Sequence, residues 1–273
     1  MKNSLFLLLL GLGAGIGGNK AVVAAIPRLG LSALTICLLA SAGSILLAWG
    51  WEKLFVRGGT PEDLNDYQEN ASDLSQEYLF ILIVVVFLVG GILGGYFLRL
   101  DQQIISRVID ILLIAIYISV GAGLRAGLTG LKFHPGKALY LWVPVLITVG
   151  SVLGGLIAAK ILGTGSFVTG AVGGGMGYYS LTAAILTQKG GAELGFVAFL
   201  ANFLREVLTF FLTPVLARFS KLAPIALGGA TTMDTTLAII KRSLGEEYAI
   251  LGLLSGAVLT LVVPLLLVFL LSL

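Results

Sequence analysis

Two carboxylates lie inside stretches of sequence that are otherwise apolar enough to cross a membrane. Asp234 lies in the segment 221–243, and Glu206 lies midway along the segment 194–217. An ionised carboxylate at membrane depth costs about 2.5–3.5 kcal/mol on insertion scales, so a membrane protein that keeps one normally uses it. We interpret Asp234 and Glu206 as groups that bind a cation or a proton. A plain helix cap at the membrane interface is the alternative for Asp234.

Polar neighbours of these acids could contribute to the same site. Asn202 is four residues before Glu206, so the two side chains share a helix face. Arg205 is offset from Glu206 by one position, and we expect it to pair with Asp234, because buried charges in lipid are normally paired. A purely structural bridge between Arg205 and an acid is the alternative. Hydroxyl groups beside Asp234 add two candidates, Thr231 and Thr232.

A glycine-rich run introduces a second group of candidate ligands. Four of the five residues at 173–177 are glycine, and backbone entropy disfavours a helix there. Unwound backbone at membrane depth is tolerated only where protein or a water-filled cavity satisfies its N–H and C=O groups. Tight helix packing is the alternative, although packing glycines recur every fourth residue. The residues that follow could supply hydroxyl groups to such a cavity: Tyr178, Tyr179 and Ser180.

The segment around Asp234 has the same plan as this glycine-rich segment. Each has a short apolar arm, then glycines, a polar cluster and a second apolar arm. We therefore predict interrupted helices over 163–188 and 221–243. Asp234 is expected to cap the second arm of the latter, where its charge would lie at the positive end of the helix dipole.

The elements that must position these residues are membrane helices. Only 11% of the 273 residues are charged, 58% are hydrophobic, and the mean hydropathy is +1.03, whereas a soluble domain carries roughly 25% charged residues. We predict an all-α, multi-pass membrane protein with a single transporter domain over 1–273, whose core lies at 163–245. Besides the two interrupted helices, about seven spanning helices are expected, over 4–17, 29–50, 78–98, 109–125, 138–162, 194–217 and 247–272.

The polar stretch 51–77 is predicted to be a loop outside the membrane. The segment 4–17 is predicted to be a retained helix instead of a cleaved signal peptide.

Other features of the chain exclude several kinds of site. The single cysteine, Cys37, excludes intrachain disulfides and multi-cysteine metal sites. With His134 as the single histidine, we expect no metal and no cofactor. No clustered basic patch indicates a nucleic-acid partner.

Small-residue patterns recur along the chain and suggest an internal repeat. The Gly-Ala-Gly runs at 13–15 and 121–123 lie 108 residues apart, and the Gly-Ser pairs at 43–44 and 150–151 lie 107 apart. Corresponding segments are three apart in order, so the copies would have opposite orientation, which is typical of transporters. Chance recurrence of packing motifs is the alternative. Asn19, which follows the first copy, is a further site candidate.

Three runs of this sequence resemble the bacterial and archaeal lysine exporter family. They are GYYSL at 177–181, NFLRE at 202–206 and GATTMDTTL at 229–237. The resemblance is specific over 163–245, and it is looser towards the N-terminus. Members of this family are similar to a wider class of transporters with two inverted repeats and crossed, interrupted helices.

The resemblance implies a transporter and not an enzyme. It implies export of L-lysine, and of analogues such as thialysine, across the cytoplasmic (inner) membrane, with proton antiport as the coupling. Carried over by position, it assigns the main functional role to Asp234, followed by Glu206, Arg205, Asn202 and Thr232. We hypothesise that Asp234 alternates between a proton and the substrate ammonium group.

The chain departs from the family pattern in two places. The family's first repeat usually begins with one more helix than fits before residue 4. The family also tends to carry an acidic residue after the first glycine-rich helix end, where this chain has Gly-Gly-Asn-Lys at 17–20. A homodimer, in which a second copy compensates for the missing helix, stays open.

Other functions remain as alternatives at this point. In a monovalent cation–proton antiporter, the same buried aspartate would bind sodium with threonine hydroxyls and exposed carbonyls as ligands. An intramembrane aspartyl protease needs a second facing aspartate, and Asp110 lies at a segment edge without that context. A channel is disfavoured, because broken helices near an inverted repeat indicate a carrier.

Overall fold

A computed structural model describes residues 2–18, 20–55, 71–98, 104–105, 107–108, 111–112 and 142–273 of the chain. In these ranges the regular structure is helical, which confirms the predicted all-α class. The helices are α1 Lys2–Gly17, α2 Lys20–Phe55, α3 Ala71–Leu98, α4 Val143–Leu162, α5 Ser166–Gly173, α6 Tyr179–Leu216, α7 Leu222–Gly228, a 3₁₀ turn at Gly229–Met233, α8 Leu237–Leu244 and α9 Glu246–Ser272.

Several of these helices are long enough to span a lipid bilayer. Within the described ranges, four are candidates by length and composition: Val23–Phe55 of α2, α4, α9, and α6, which is bent at its glycines. The predicted number of spans stays a prediction, because most of the segment 109–125 lies outside the described residues. The predicted 51–77 loop was too long, since 51–55 belongs to α2 and 71–77 to α3. Residues 56–70 of that loop lie outside the described ranges.

Helices α2 and α4 pack against each other at backbone contact. A Cβ atom on Gly43 would overlap the backbone of Gly150, and one on Gly150 would overlap Gly43. The hydroxyl oxygens of Ser44 and Ser151 are 2.7 Å apart at the same level. Small residues of this kind let membrane helices approach closely where lipid provides no hydrophobic driving force. The two Gly-Ser pairs therefore face each other, whereas 121–123 of the proposed repeat lie outside the described residues.

Helix α6 folds back on itself near its middle. Gly190 and Gly191 have non-helical backbone angles, and the positive φ of 78° at Gly191 favours glycine. In a straight helix, with a rise of 1.5 Å per residue, Tyr179 and Phe203 would be about 36 Å apart. Their ring centroids are instead 5.7 Å apart. Residues 179–189 and 192–216 therefore form an antiparallel hairpin, which agrees with the boundary predicted between 163–188 and 194–217.

The direction of this hairpin follows from contacts with α2. Ser44 accepts a hydrogen bond from Arg205, and Glu52 accepts one from the backbone of Lys221, so α2 and the arm 192–216 run parallel. Helix α4 is antiparallel to α2, because the rings of Trp51 and Trp142 also lie together, with centroids 5.9 Å apart.

The first interruption is the glycine-rich turn at 174–178 between α5 and α6, and it reverses the direction of the chain. Thr169 lies against Gly155 and Gly173 against Ser151, so α5 is antiparallel to α4 and parallel to α2. The arm 179–189, in contrast, runs opposite to α2. The predicted break in 163–188 is therefore present. It joins two helices that run in opposite directions, whereas the second part of a crossed helix would continue in the direction of the first.

The close approach of α2 and α4 predicts unequal effects of two glycine substitutions in one helix. Gly43→Ala places a methyl group on the Gly150 backbone, and overpacking of this kind costs about 1–3 kcal/mol. Gly50→Ala, in the same helix, meets nothing within 4 Å and gains about 0.5–1 kcal/mol in helix propensity. Thermal unfolding in detergent should show a lower midpoint for Gly43→Ala alone. Equal midpoints for the two variants would contradict the packing.

Candidate functional site

Asn202 supplies hydrogen-bond partners to the backbone of the first interruption. Its side-chain oxygen accepts a hydrogen bond from Gly177 N at 2.9 Å, and its amide nitrogen donates to Val172 O at 2.9 Å. A third hydrogen bond runs to Ala198 O, one turn back in its own helix. The Asn202 side chain is only 2% exposed. Backbone groups on both sides of the glycine-rich turn are thus satisfied by protein, as unwound backbone at membrane depth requires.

Arg205, one turn further along the same arm, holds the second interruption, which is the stretch 229–236 between α7 and α8. Its guanidinium group donates to Leu227 O at 2.8 Å and Ala226 O at 2.7 Å, at the C-terminal end of α7. It also donates to Ser151 Oγ at 2.7 Å and Ser44 Oγ at 3.1 Å. The expected pairing of Arg205 with Asp234 is wrong, because these carbonyl and hydroxyl oxygens take its donors. A cation at this end of α7 also offsets the negative end of the helix dipole.

Glu52 provides the complementary charge at the other end of α7. Its carboxylate accepts hydrogen bonds from Lys221 N at 2.9 Å, from Leu222 N at 3.2 Å and from Ser220 Oγ. An anion at a helix N-terminus satisfies free N–H groups and the helix dipole together. Glu52 was predicted to lie in a solvated loop, and it is instead the last-turn residue of α2 that fixes the start of α7. Short α7 is therefore held by an opposite charge at each end.

Two predicted site threonines hold the second interruption instead of facing a ligand. Thr232 Oγ1 lies 2.7 Å from both Gly229 O and Gly252 O of α9, which share its one hydroxyl hydrogen. Thr231 donates to Gly228 O at 2.9 Å. Both hydroxyl groups are therefore engaged with backbone oxygens that the end of α7 leaves without a helical partner.

The two interruptions touch each other directly. Ala230 N, in the 3₁₀ turn, donates to Met176 O in the glycine-rich turn at 2.9 Å. Gly229 has a φ of 61°, and a Cβ atom there would collide with Met176 O. The chain therefore needs glycine at 229 to bring the two turns together.

Glu206 lies among these turns without a partner for its charge. It is 0% exposed, and neither carboxylate oxygen forms a hydrogen bond with any residue that the structure describes. The buried Thr235 hydroxyl lies beside it, close enough to influence the carboxyl group but without a hydrogen bond of normal geometry. Since buried charges in membrane proteins are normally paired, this carboxyl group and hydroxyl line a position that is suited to a cation or a proton.

Asp234 is the accessible member of the acid pair. It interacts electrostatically with Glu206, and its side chain is exposed. Its Oδ1 accepts a hydrogen bond from Thr235 N at 2.6 Å. The predicted helix cap is wrong, because the residue before α8 is Thr236, and no side chain caps that helix.

Tyr179 completes the group of side chains at the acid pair. It is 6% exposed and interacts electrostatically with Glu206, Asp234 and Tyr178. Ser180 is buried in the next position. In the described part of the chain, no cluster of three or more His, Cys, Asp or Glu side chains could hold a metal ion.

The ten predicted site residues thus divide by position. Glu206 and Asp234 come together with Tyr179, whose chain neighbours are Tyr178 and the buried Ser180. The other four described residues hold the two interruptions in place: Asn202, Arg205, Thr231 and Thr232. Asn19 lies outside the described residues. The sequence reasoning missed four residues of this region, although their positions in a Gly-Ser repeat, a threonine cluster and a helix end were visible signals: Ser44, Ser151, Thr235 and Glu52.

These contacts predict how a conservative change at Arg205 behaves. Arg205→Lys keeps the charge but cannot reach two carbonyls and two hydroxyls together, and each buried group left unpaired costs about 1–3 kcal/mol. The unfolding midpoint in detergent should fall clearly, while Arg218→Lys, on an exposed arginine, should leave it unchanged. If Arg205→Lys unfolds like the wild type and only substrate binding weakens, the structural role assigned to Arg205 is wrong.

Comparison with known proteins identifies two relatives. The chain is 33% identical over 187 residues to "Lysine exporter LysO" of Escherichia coli (strain K12), which covers 68% of this chain and 61% of that relative. It is 35% identical over 157 residues to "Putative lysine exporter" of Haemophilus influenzae (strain ATCC 51907 / DSM 11121 / KW20 / Rd), which covers 58% of this chain and 80% of that relative. The match therefore spans less than two thirds of the E. coli protein. No solved structure matches the chain.

A family model matches the same part of the chain that carries the site. The model described as "Lysine exporter LysO" matches residues 84–271, which include both interruptions and the arm that carries Asn202, Arg205 and Glu206. The match covers more than half of the chain, and the apolar helices agree with a membrane transporter. The chain therefore belongs to the lysine exporter LysO family.

Proposed function

We propose that this protein exports L-lysine, and analogues such as thialysine, across the cytoplasmic membrane in exchange for protons. One observation carries the proposal: the Glu206 carboxyl group is fully buried, has no hydrogen-bond partner among the described residues, and adjoins Asp234. Two neighbouring acids that have no ion-pair partner among the described residues favour a cationic substrate or a proton. The names of the two bacterial relatives support lysine as that cation.

The acid pair explains why a proton would be exchanged. Two close carboxylates in a site of low polarity cannot both stay charged without a partner, so one of them holds a proton when no cation is bound. The ammonium group of lysine supplies the missing positive charge and releases that proton. Asp234 is exposed and would meet the substrate first, whereas Glu206 is fully buried.

The two interruptions provide a means of alternating access. In transporters with broken helices, substrates bind at midplane where unwound backbone is held by protein. Here Asn202 and Arg205 on one arm each hold one interruption, and Ala230 N joins the two. A movement of this arm would therefore shift both turns and the acid pair together. Inverted repeats and a homodimer stay predictions.

A monovalent cation–proton antiporter remains the second candidate. The buried and unpaired oxygens of Glu206 and Thr235 would also suit a small dehydrated cation, which prefers oxygen ligands. In that case sodium or potassium, and not an amino acid, would drive proton flux.

Substitution of either acid should abolish exchange. For Asp234→Asn and Glu206→Gln, efflux of labelled L-lysine from proteoliposomes under an inward proton gradient should slow by at least about tenfold, equivalent to about 1.4 kcal/mol. Glu246→Gln is the matched control, because it removes an exposed carboxylate at the start of α9, and it should keep the wild-type rate.

Three results of this assay are informative. Lysine efflux driven by inward protons, and competed by thialysine, would support the proposal. Wild-type efflux in Asp234→Asn would contradict the role given to the acid pair. Proton flux that needs sodium or potassium but no lysine would move the assignment to the cation antiporter.

A further inference from the structure

We propose that the acid pair is an alkylammonium site whose wall is the aromatic cluster of Tyr179, Phe199 and Phe203, and that it has no counterpart for a carboxylate. Amines without a carboxylate would then bind as well, for example cadaverine, the diamine that remains when lysine loses its carboxyl group. This inference rests on the proposed function and specifies which part of the substrate the site recognises.

The aromatic cluster adjoins the acid pair by helical spacing. Phe199 and Phe203 lie seven and three residues before Glu206, so all three side chains share one face of the arm 192–216. The Tyr179 ring packs edge-on against both, with centroids 5.5 Å and 5.7 Å apart. The two phenylalanine rings stack at 5.6 Å. Since Tyr179 also interacts electrostatically with Glu206 and Asp234, the cluster forms one side of their surroundings.

An apolar wall beside two carboxylates suits an organic cation better than a metal ion. An alkylammonium group carries its charge at the end of a methylene stem, which packs against rings while the charge faces the acids. Aromatic rings also attract such cations through their π faces. A sodium ion has no methylene stem that could pack against the rings. It needs oxygen ligands around it, and the rings of Phe199 and Phe203 offer none.

The one fully buried cation of the described structure is not free to bind a carboxylate there. Arg205 is the one fully buried basic side chain in the part of the chain that the structure describes. Four of the five guanidinium N–H donors are engaged with Ala226, Leu227, Ser44 and Ser151. The amino-acid carboxylate would therefore contribute little to recognition, and the ammonium group would carry most of it.

Competition binding tests both parts of the inference. Purified protein in nanodiscs is titrated with labelled L-lysine, and then with cadaverine or sodium chloride as competitor at constant ionic strength. Tyr179→Leu removes the ring and Tyr179→Phe keeps it. Phe211→Leu, on an exposed ring of the same helix, is the control for a lost aromatic side chain. Elution as a single peak in size-exclusion chromatography verifies that each variant is folded.

The inference predicts a definite pattern of affinities. Cadaverine should displace lysine from the wild type at concentrations within about tenfold of lysine itself. Tyr179→Leu should weaken the binding of both amines by about 3- to 30-fold, the range that a desolvated cation–π contact supports, without a matching change for sodium. Tyr179→Phe should keep most of the preference for amines over sodium.

Different results would overturn different claims. Lysine binding without competition from cadaverine would show that the carboxylate is recognised, and wild-type affinities in Tyr179→Leu would show that the ring is not the wall. Cadaverine binding that depends on Tyr179, in a protein that neither binds nor transports lysine, would support this inference and refute the proposed substrate. Binding of sodium alone would refute both.

Discussion

Hydrogen bonding of interrupted backbone inside the membrane is the constraint on which the rest of this structure depends. Two helices end within the protein, and each leaves N–H and C=O groups that lipid cannot satisfy. One arm of α6 supplies partners for both: Asn202 for the glycine-rich turn, and Arg205 for the end of α7. This single arm therefore ties the positions of the two turns to each other.

Because Arg205 is bound to the end of α7, it determines the charge that remains in the site. Because its donors are taken by carbonyl and serine oxygens, Arg205 does not balance the neighbouring Glu206 and Asp234, and neither acid has an ion-pair partner among the described residues. At the other end of α7, the Glu52 carboxylate is likewise occupied, by backbone N–H groups. The charges that hold the helices are thus neutralised by helix ends, and the charges of the acid pair are left for a ligand or a proton.

Local sequence was sufficient to predict where the helices break and to single out two acids that the structure brings together. Adjacent glycines cannot easily be helical, and Glu206 and Asp234 are carboxylates in apolar segments, so both features are visible without a structure. The partners of these groups were not predictable in this way. Arg205 binds Ser44 and Ser151, which are 161 and 54 residues away, and spacing along one helix contains no information about such contacts.

The wrong predictions also arose because local sequence does not reveal contacts between distant residues or the exact start of a helix. Asp234 looked like a helix cap because it precedes an apolar arm, but the 3₁₀ turn delays the start of α8 to Leu237. Glu52 looked like a loop residue because acidic residues follow it, yet its partners are at 220–222. The reversal at 174–178 likewise depends on packing of α5 against α4 and of the two α6 arms, which the glycine-rich run alone does not specify.

Proton release on substrate binding tests the central claim most directly, because it needs neither a membrane gradient nor a known orientation. L-lysine is added to the detergent-solubilised protein in weak buffer, and the pH change is followed with an indicator dye. The account predicts that wild-type protein releases protons as lysine saturates it, and that a variant with both Asp234→Asn and Glu206→Gln releases none. Saturable lysine binding without proton release from the wild type would contradict exchange at the acid pair.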